Sequence, residues 1–288
     1  MWFSENWKDY QLLDCSDGCR LEKWGDYTLV RPDPQVIWKN CKKHPAWKKP
    51  NGVYTRSKSG GGSWNENNLP EEWNISYGEL NFSLKPMGFK HTGLFPEQAV
   101  NWDWFSSLIK NADRPIKVLN LFAYTGGATV AAAKAGASVC HVDASKGMVQ
   151  RAKENAALSG LSDAPIRYIV DDCFKFCERE LRRGNKYDGI IMDPPSYGRG
   201  PNGEKWTLED NIDAFVSLAS KLLSDKPLFF LLNSYTTGLS ASTMGYIVQK
   251  NIIPTYSGKV ISDEIGLKVE QTGWVLPCGA SSRWTSEK

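Results

Sequence analysis

The segment Lys117-Val-Leu-Asn-Leu-Phe-Ala-Tyr-Thr-Gly-Gly127 decides the fold that we expect for this chain. Its first half is an apolar run of strand length. Its second half breaks at paired glycines before an alanine-rich stretch typical of a helix. Paired glycines let the backbone approach a ligand closely at the positive end of a helix. The Gly-x-Gly-x-x-Gly pattern of dinucleotide-binding turns is missing, and a Gly-Gly turn alone is weak evidence.

Strand-like and helix-like segments alternate around this turn. We expect helices at residues 97–110, 128–135, 146–159, 173–183 and 211–223. We expect strands at residues 117–122, 138–142, 166–170, 187–192 and 228–233. This alternation predicts βαβ units, and therefore an α/β fold with a doubly wound, mostly parallel sheet and helices on both faces. Such sheets bind ligands beyond the carboxyl ends of their strands, where the strand order reverses.

Carboxylates follow three more of the predicted strands. Asp143 ends the second strand, where its side chain can accept hydrogen bonds from a ribose diol or can cap the next helix. Asp171-Asp172 follow the third strand. The fourth strand runs into Asp193-Pro-Pro-Ser-Tyr197, in which two prolines fix φ twice and remove two N–H donors. This last turn therefore presents carbonyl groups and an aromatic ring at a rigid rim.

The chain up to residue 84 has a different sequence pattern, with short strand-like segments between turn residues. This pattern predicts a small β-rich domain, followed by a second domain at residues 85–288. Turn-forming Asp-Gly and Gly-Asp pairs predict a small antiparallel sheet with strands at residues 10–15, 20–24 and 27–31. Residues 76–85 resume a strand-like alternation. Residues 57–63, Ser-Lys-Ser-Gly-Gly-Gly-Ser, are expected to form a flexible loop or linker.

The composition is that of a folded globular protein. Hydrophobic residues make up 41% and charged residues 23% of 288 residues, which excludes disordered and collagen-like chains. No run approaches the roughly 20 apolar residues of a membrane helix, and the N-terminus lacks the pattern of a signal peptide. We therefore expect a cytoplasmic protein without a membrane partner.

The cysteines indicate neither a disulfide framework nor a metal site. Seven cysteines, an odd number spread thinly along a long chain, are expected to be reduced thiols. The closely spaced pairs Cys15/Cys19 and Cys173/Cys177 each lack the matching second pair of a structural zinc site. We therefore expect no metal.

Basic and aromatic residues are interleaved near the N-terminus. The net charge of +3 is too weak a field to prove a polyanionic partner. Seven of the 12 tryptophans lie before residue 80, which indicates either a compact core or a stacking surface. Residues 38–50 combine Trp38 and Trp47 with the basic side chains of Lys39, Lys42, Lys43, His44, Lys48 and Lys49. Such a run is either a solvated face or a nucleic-acid contact.

Five motifs occur together in this chain: Phe122-Ala-Tyr-Thr-Gly-Gly, Val142-Asp-Ala-Ser, Arg151-Ala-Lys-Glu-Asn155, Asp171-Asp172 and Asp193-Pro-Pro-Ser-Tyr. Together they resemble the class I S-adenosylmethionine-dependent methyltransferases, and among them the group related to bacterial large-subunit ribosomal RNA methyltransferases. The segment Phe89-Lys-His-Thr-Gly-Leu-Phe95, with Gln98, is similar to the lead-in before the first strand of these enzymes. The resemblance covers residues 85–260 and implies a Rossmann-like methyltransferase fold.

The resemblance also implies an enzyme that uses S-adenosyl-L-methionine. It implies these cofactor-binding residues: Phe95, Phe122, Tyr124, Thr125, Gly126, Asp143, Ala144, Ser145, Asp172, Cys173, Asp193 and Pro194. Residues 122–126 would line the methionine end, and Asp143 would take the ribose hydroxyls. Ala144 would lie beside the adenine, with Asp172 and Cys173 at the adenine edge. Asp193 and Tyr197 would face the acceptor as catalytic residues.

This sequence departs from the family in two respects. The N-terminal residues are too few and too rich in tryptophan for us to assign the PUA domain that many of these RNA enzymes carry. Cytosine-C5 relatives need a cysteine nucleophile after the fourth or fifth strand, yet residues 193–197 and 232–238 contain none. Cys278 remains as an outside candidate, although a thiol near the C-terminus is more often a packed small hydrophobe.

We therefore expect direct methyl transfer to a nitrogen or oxygen atom of a ribosomal RNA nucleobase. The acceptor could instead be a protein side chain or a small molecule. Two other classes stay open as alternatives: an S-adenosylmethionine-binding protein without catalysis, and a nicotinamide-dependent oxidoreductase, which the missing glycine pattern disfavours. The sequence leaves the oligomeric state and the RNA-binding role of the N-terminal domain open.

Overall fold

The computed structural model describes residues 1–57, 61–65, 68–88, 90–199, 205–236 and 238–287, with only the backbone of Arg199 and Lys205. These residues form two compact units. One, here the α/β unit, comprises Met1–Trp2, Val100–Ile265 and Gly279–Lys288. The other, here the β-rich unit, comprises Phe3–Ala99 and Gly266–Cys278. The domain boundary expected between residues 84 and 85 stays a prediction.

Parts of three expected segments lie outside the described residues. They are residues 58–60 of the expected linker, Phe89 of the segment 89–95, and Thr237 of the segment 232–238. Residues 62–63 of the expected linker are described and belong to a strand, Gly62–Asn65.

The β-rich unit contains strands β1 (Tyr10–Ser16), β2 (Cys19–Trp24), β3 (Tyr27–Pro32), β4 (Gly52–Arg56), β5 (Gly62–Asn65), β6 (Trp73–Tyr77) and β7 (Leu80–Leu84). Strands β1 to β5 form one sheet in sequence order, and β6 pairs with β7 separately. The three predicted strands and their antiparallel pairing are confirmed. Strand β4 differs, because it joins β3 in parallel.

A turn divides the strand-like alternation of residues 76–85. The chain turns at Gly78, whose φ of 56° places it in the left-handed region that glycine adopts at no steric cost. Residues on either side of this turn pair as the antiparallel hairpin of β6 and β7. The strand-like alternation was therefore real, but it belongs to two short strands.

Tryptophans of the β-rich unit serve both the core and the surface. Trp24 is fully buried, and its ring packs 4.6 Å from that of Tyr10. Trp73 is buried as well, and its indole N–H donates to the Trp24 carbonyl at 3.1 Å. Trp38, by contrast, is 37% exposed. The core explanation is confirmed for Trp24 and Trp73, whereas a stacking surface stays a prediction.

A buried ion pair ties together β1, β2 and β3. The Glu22 carboxylate accepts hydrogen bonds from Arg31 Nε at 2.6 Å and Nη2 at 2.7 Å, and from the Tyr10 hydroxyl at 2.9 Å. Burial alone would raise the pKa of Glu22. The charges of Arg31 and Arg20 outweigh burial and lower that pKa to about 2. The carboxylate is thus held ionised by a bidentate partner, the strong form of this interaction.

The α/β unit follows the predicted alternation. Its helices and strands begin with α1 (Ala99–Lys110), β8 (Lys117–Leu121), α2 (Gly127–Lys134), β9 (Ser138–Asp143), α3 (Lys146–Leu158), β10 (Ile166–Val170), α4 (Cys173–Arg182) and β11 (Gly189–Met192). They continue with β12 (Tyr197–Arg199), β13 (Lys205–Thr207), α5 (Leu208–Ser220), β14 (Phe229–Ser234), α6 (Ala241–Ile252), β15 (Gly258–Lys268) and β16 (Val275–Ser286). The helix expected at residues 211–223 is present as α5 but begins and ends three residues earlier.

One seven-stranded sheet organises this unit, in the order β10-β9-β8-β11-β14-β16-β15. Strands β8, β9, β10, β11 and β14 run parallel, and β16 runs antiparallel to β14. The chain moves outward from β8 through β9 to β10 and then returns to the other side of β8 with β11. The strand order therefore reverses between β8 and β11, which confirms the doubly wound sheet, and the region beyond their carboxyl ends is where such sheets bind ligands.

The central strands are buried along their length, as expected for a parallel sheet that helices cover. Helices α2 and α3 pack on each other, while α5 packs on α4 and α6. A Cβ at Gly189 of β11 would lie 2.5 Å from the ring of Phe229 on β14, so any side chain there would displace that ring. Within the described residues, no helix has the length and apolar character needed to cross a membrane.

Arg31→Met should destabilise the protein by about 3–5 kcal/mol, because it leaves the buried Glu22 carboxylate without its main partner. Urea unfolding followed by circular dichroism measures this loss. The pKa of Glu22 is about 2 in the fold and 4.5 ordinarily. The pair therefore stabilises the fold above pH 4.5, and this contribution is lost as the pH falls towards 2. The double variant Glu22→Met/Arg31→Met should recover part of the loss, and equal losses in both variants would contradict the buried-charge explanation.

Candidate functional site

The turn after β8 holds three residues in the left-handed region, Phe122 (φ 55°), Tyr124 (φ 51°) and Gly126 (φ 82°). This conformation is unfavourable for the two aromatic residues and must be held by their surroundings. The Phe122 N–H donates to Cys173 Sγ at 3.3 Å, and the Tyr124 N–H donates to Asp143 Oδ2 at 2.9 Å. Alternating left-handed residues are a feature of backbone concavities that bind anions. We name residues 122–126 the cofactor turn.

Helix α3 packs directly against the cofactor turn. A Cβ on Gly126 would lie 2.8 Å from Cβ of Ala152, so only glycine fits at the end of the turn. Asn155 Nδ2 donates to the carbonyl of Thr125 at 2.8 Å. Thr125 itself is 1% exposed, so the whole residue is buried in the turn. Helix α2 starts next at Gly127, and its first N–H groups lack acceptors inside the helix.

Asp143 closes the cofactor turn from the end of β9. Its Oδ2 accepts the Tyr124 N–H, and its Oδ1 accepts the Ser145 N–H at 2.8 Å. Burial raises the pKa of Asp143, while these two N–H donors act to lower it. Each carboxylate oxygen keeps a second lone pair that could accept from a ribose hydroxyl. The cap of α3 is Ser145, whose Oγ accepts the Met148 N–H at 3.4 Å, so Asp143 is not needed as the helix cap.

Asp172 and Cys173 sit at the start of α4 with different exposure. Asp172 is exposed and caps α4, its Oδ1 accepting the Lys175 N–H at 2.8 Å. Cys173 is buried, and its thiol donates to the Val142 carbonyl at 3.7 Å besides accepting from the cofactor turn. Burial raises the pKa of Cys173 well above the ordinary value. The thiol therefore stays neutral and contributes to the site by holding the turn.

Residues 193–197, here the acceptor rim, follow β11 beside the cofactor turn. The Asp193 N–H donates to the Leu121 carbonyl at 3.4 Å. Pro194 is buried, whereas Tyr197 is 52% exposed. Thr236, after β14, donates from Oγ1 to Ser196 Oγ at 2.6 Å. The acceptor rim is thus braced by the segments that follow two neighbouring strands.

The structure brings most of the predicted site residues to one edge of the sheet. Those that follow the carboxyl ends of β8, β9, β10 and β11 are Phe122, Tyr124, Thr125, Gly126, Asp143, Ala144, Ser145, Asp172, Cys173, Asp193, Pro194 and Tyr197. Phe95 belongs to the β-rich unit, where its ring packs edge-on to His91 with centroids 5.2 Å apart. The ligand contacts assigned to all these residues stay predictions.

Sequence reasoning missed two residues that shape the site. Asn155 lies in one of the five motifs, where nothing in the pattern assigned it a role, and it fixes the Thr125 carbonyl. Trp206 carries no motif, yet its indole Nε1 donates to the Pro195 carbonyl at 2.7 Å. An aromatic residue just before a helix was the one available signal for Trp206. No group of three or more His, Cys, Asp or Glu side chains suited to a metal ion occurs in the part of the chain that the structure describes.

The sequence profile of the S-adenosylmethionine-dependent methyltransferases matches residues 42–210. This chain belongs to that family. It is therefore an enzyme with S-adenosyl-L-methionine as its cofactor, and the family resemblance inferred from the five motifs is confirmed.

Individual relatives agree with this assignment. The ribosomal RNA large subunit methyltransferase K/L of Shewanella frigidimarina is 37% identical over 145 residues, which are 50% of this chain and 20% of that protein. The chain thus spans about a fifth of the length of this curated relative. A solved S-adenosylmethionine-dependent methyltransferase of Agrobacterium tumefaciens is 39% identical, with a TM-score of 0.92 over 99% of this chain and 93% of the other.

A more distant solved structure supports the fold alone. The tRNA (uracil-54, C5)-methyltransferase of Pyrococcus abyssi, in complex with S-adenosyl-L-homocysteine, is 15% identical, with a TM-score of 0.51. The match covers 94% of this chain and 60% of the other.

The residues of this methyltransferase fit its cofactor. The methionine carboxylate is an anion, and the left-handed residues of the cofactor turn and the start of α2 form the type of backbone site that takes one. The Asp143 carboxylate provides the acceptors that a ribose diol needs. The cofactor supplies a methyl group on a sulfonium, and the protein has to hold that group against the acceptor.

Asp143→Ala should weaken the binding of S-adenosyl-L-homocysteine by one to two orders of magnitude, because a charge-assisted hydrogen bond contributes ~1.5–3 kcal/mol. Isothermal titration calorimetry gives the dissociation constant. Asp213→Asn is the matched control, since it removes a carboxylate that pairs with Lys250 at 2.6 Å between α5 and α6. An unchanged dissociation constant for Asp143→Ala would remove this residue from the site.

Proposed function

We propose that this enzyme transfers the methyl group directly to a nitrogen or oxygen atom of a ribosomal RNA nucleobase, without a cysteine nucleophile. The observation that carries the proposal is the acceptor rim, where Asp193 and the exposed ring of Tyr197 follow β11 beside the cofactor turn. The name of the Shewanella relative supports an RNA acceptor. In keeping with this function, we propose that the enzyme acts in the cytoplasm.

Methyl transfer from a sulfonium is an in-line displacement, so the enzyme has to position two reactants and accommodate a shift of positive charge. The Asp193 carboxylate can accept a hydrogen bond from the N–H of an acceptor base and can take the proton that a nitrogen loses. Prolines at 194 and 195 leave the rim with carbonyl acceptors and no N–H donors there. Tyr197 can stack on a base, which contributes ~1–3 kcal/mol in single-strand binders.

The state of four of the seven cysteines supports direct transfer. Cys140, Cys173, Cys177 and Cys278 are all buried, and burial raises the pKa of each thiol. For Cys140 the pKa rises to about 11. The thiolate is the nucleophilic form, so these thiols are poor candidates for attack on a pyrimidine ring. Cys278, the outside candidate, donates to the Leu276 carbonyl at 3.6 Å as a packed side chain does.

The fate of a labelled methyl group tests the proposal. The enzyme is incubated with methyl-labelled S-adenosylmethionine and, separately, with the RNA, protein and small-molecule fractions of a cell extract. Mass spectrometry then identifies the methylated nucleosides in the RNA. We expect label in ribosomal RNA, on a nitrogen or oxygen atom, and no covalent adduct with RNA that contains 5-fluorocytidine. Label in protein or metabolites would overturn the RNA acceptor. An adduct that Cys278→Ala abolishes would overturn direct transfer and identify a cytosine-C5 enzyme.

We further propose that residues 38–50 of the β-rich unit contribute to RNA binding. Ile37 and Trp38 are 88% and 37% exposed, and the Lys39 side chain is 82% exposed. Lys42 Nζ lies 4.7 Å from the centre of the Trp47 ring, so a cation and an aromatic side chain share one surface. Stacking rings beside basic groups are typical of proteins that bind single-stranded RNA. A solvated face is the competing explanation.

Replacing Lys42, Lys43, Lys48 and Lys49 by alanine should flatten the dependence of RNA binding on salt, by ~0.7 in the logarithmic slope for each phosphate that the variant no longer neutralises. Filter binding at several salt concentrations measures the slope. A control variant changes the net charge by the same amount by replacing four other exposed lysines: Lys110, Lys221, Lys226 and Lys259. A slope that the first variant leaves unchanged would identify the run as a solvated face.

A further inference from the structure

Trp206 touches both loops of the site. Its indole N–H donates to the Pro195 carbonyl on the acceptor rim at 2.7 Å. Its ring centre lies 6.0 Å from that of Phe122 on the cofactor turn and 5.9 Å from that of Phe215 on α5. Phe122 also packs edge-on to Phe215, at 5.5 Å. The three rings form a cluster at the start of α5, and Trp206 is the member that also reaches the rim.

The acceptor rim depends on partners from outside its own backbone. Two consecutive prolines have no N–H groups, so the rim cannot be held by donors at those positions. The Leu208 N–H donates to the Ser196 carbonyl at 3.1 Å, and Thr236 donates to the Ser196 hydroxyl. Both contacts hold Ser196, whereas the Trp206 indole holds the carbonyl of Pro195. Losing the indole N–H therefore loosens the prolines next to Asp193.

The cofactor turn is likewise held from outside at Phe122. Its left-handed backbone is unfavourable for an aromatic residue, and its side chain is half-buried. The packing of Trp206 and Phe215 restricts the Phe122 ring. A single side chain thus fixes the rim through a hydrogen bond and the turn through ring packing.

We propose that Trp206 is a positioning residue that sets the distance between the cofactor and the acceptor. The identity of the acceptor in this inference rests on the proposed function, whereas the two contacts of Trp206 do not depend on it. In-line transfer requires reacting atoms about 3–3.5 Å apart, and a misplacement of about 1 Å can lower the rate 100-fold. One contact of Trp206 holds the acceptor rim, and the other holds the cofactor turn. Substitutions can remove the first contact alone or both together.

Trp206→Phe keeps a ring beside Phe122 and removes the donor to Pro195. We expect the dissociation constant of S-adenosyl-L-homocysteine to stay within twofold and kcat to fall between about tenfold and 100-fold. Hydrogen exchange at the amides of Ser196 and Tyr197 should accelerate. Trp206→Leu removes the ring as well, so it should in addition weaken S-adenosyl-L-homocysteine binding several-fold.

Tyr256→Phe is the matched control in the same unit, because it also removes one donor, here to the Leu223 carbonyl at 3.2 Å, and keeps a ring. It should leave exchange at the rim unchanged. The proposal fails if Trp206→Phe leaves rim exchange and kcat as in the wild type, or if both Trp206 variants weaken S-adenosyl-L-homocysteine binding equally. A wild type that binds this ligand but methylates no RNA would refute the proposed function alone, since exchange and ligand affinity still test Trp206.

Discussion

The hydrogen bond from the Tyr124 N–H to the Asp143 carboxylate is the contact on which the catalytic site depends. It joins the end of β9 to the turn after the neighbouring strand β8. Left-handed backbone at non-glycine residues costs on the order of 1–3 kcal/mol each, and two such residues stand in this turn. Asp143 and the thiol of Cys173 offset this cost by accepting the N–H groups of those same residues. The turn is therefore held in this conformation by side chains of the protein itself.

A second set of buried polar side chains supports the sheet around β14. Asn233 at the end of this strand accepts hydrogen bonds from Asn101 Nδ2 at 3.1 Å and from Ser281 Oγ at 2.6 Å. Arg283 of β16 donates from Nε and Nη2 to Asn101 Oδ1, at 2.9 and 2.7 Å. Its guanidinium also lies 3.9 Å from the Trp2 ring centre, and burial lowers the pKa of Arg283 to about 10. This network links α1, β14 and β16, and thereby fixes the strand end from which Thr236 reaches the acceptor rim.

The sequence predicted the parallel core of the sheet well, because strands buried on both faces are continuous apolar runs and the helices between them are separated by clear turns. It did not yield β15, whose exposure varies irregularly at the sheet edge, or the turn at Gly78 that divides β6 from β7. At the site, the acidic residues could be predicted from their position after strands. The burial of the Thr125 side chain and the Trp206 contact could not, because both depend on which distant segments pack against the loops.

The two loops of the site are made rigid by different means, and each suits its chemistry. In the cofactor turn, the N–H groups of Phe122 and Tyr124 donate to a thiol and a carboxylate, and the space beside Gly126 has no room for a side chain. The acceptor rim has no N–H groups at its two prolines, and the carbonyls of Pro195 and Ser196 are held by the Trp206 indole and the Leu208 N–H. The rate of displacement at a methyl group depends more on the geometry of the two reactants than on the strength of an acid or base. Two rigid loops that are coupled through one shared side chain therefore suit this reaction.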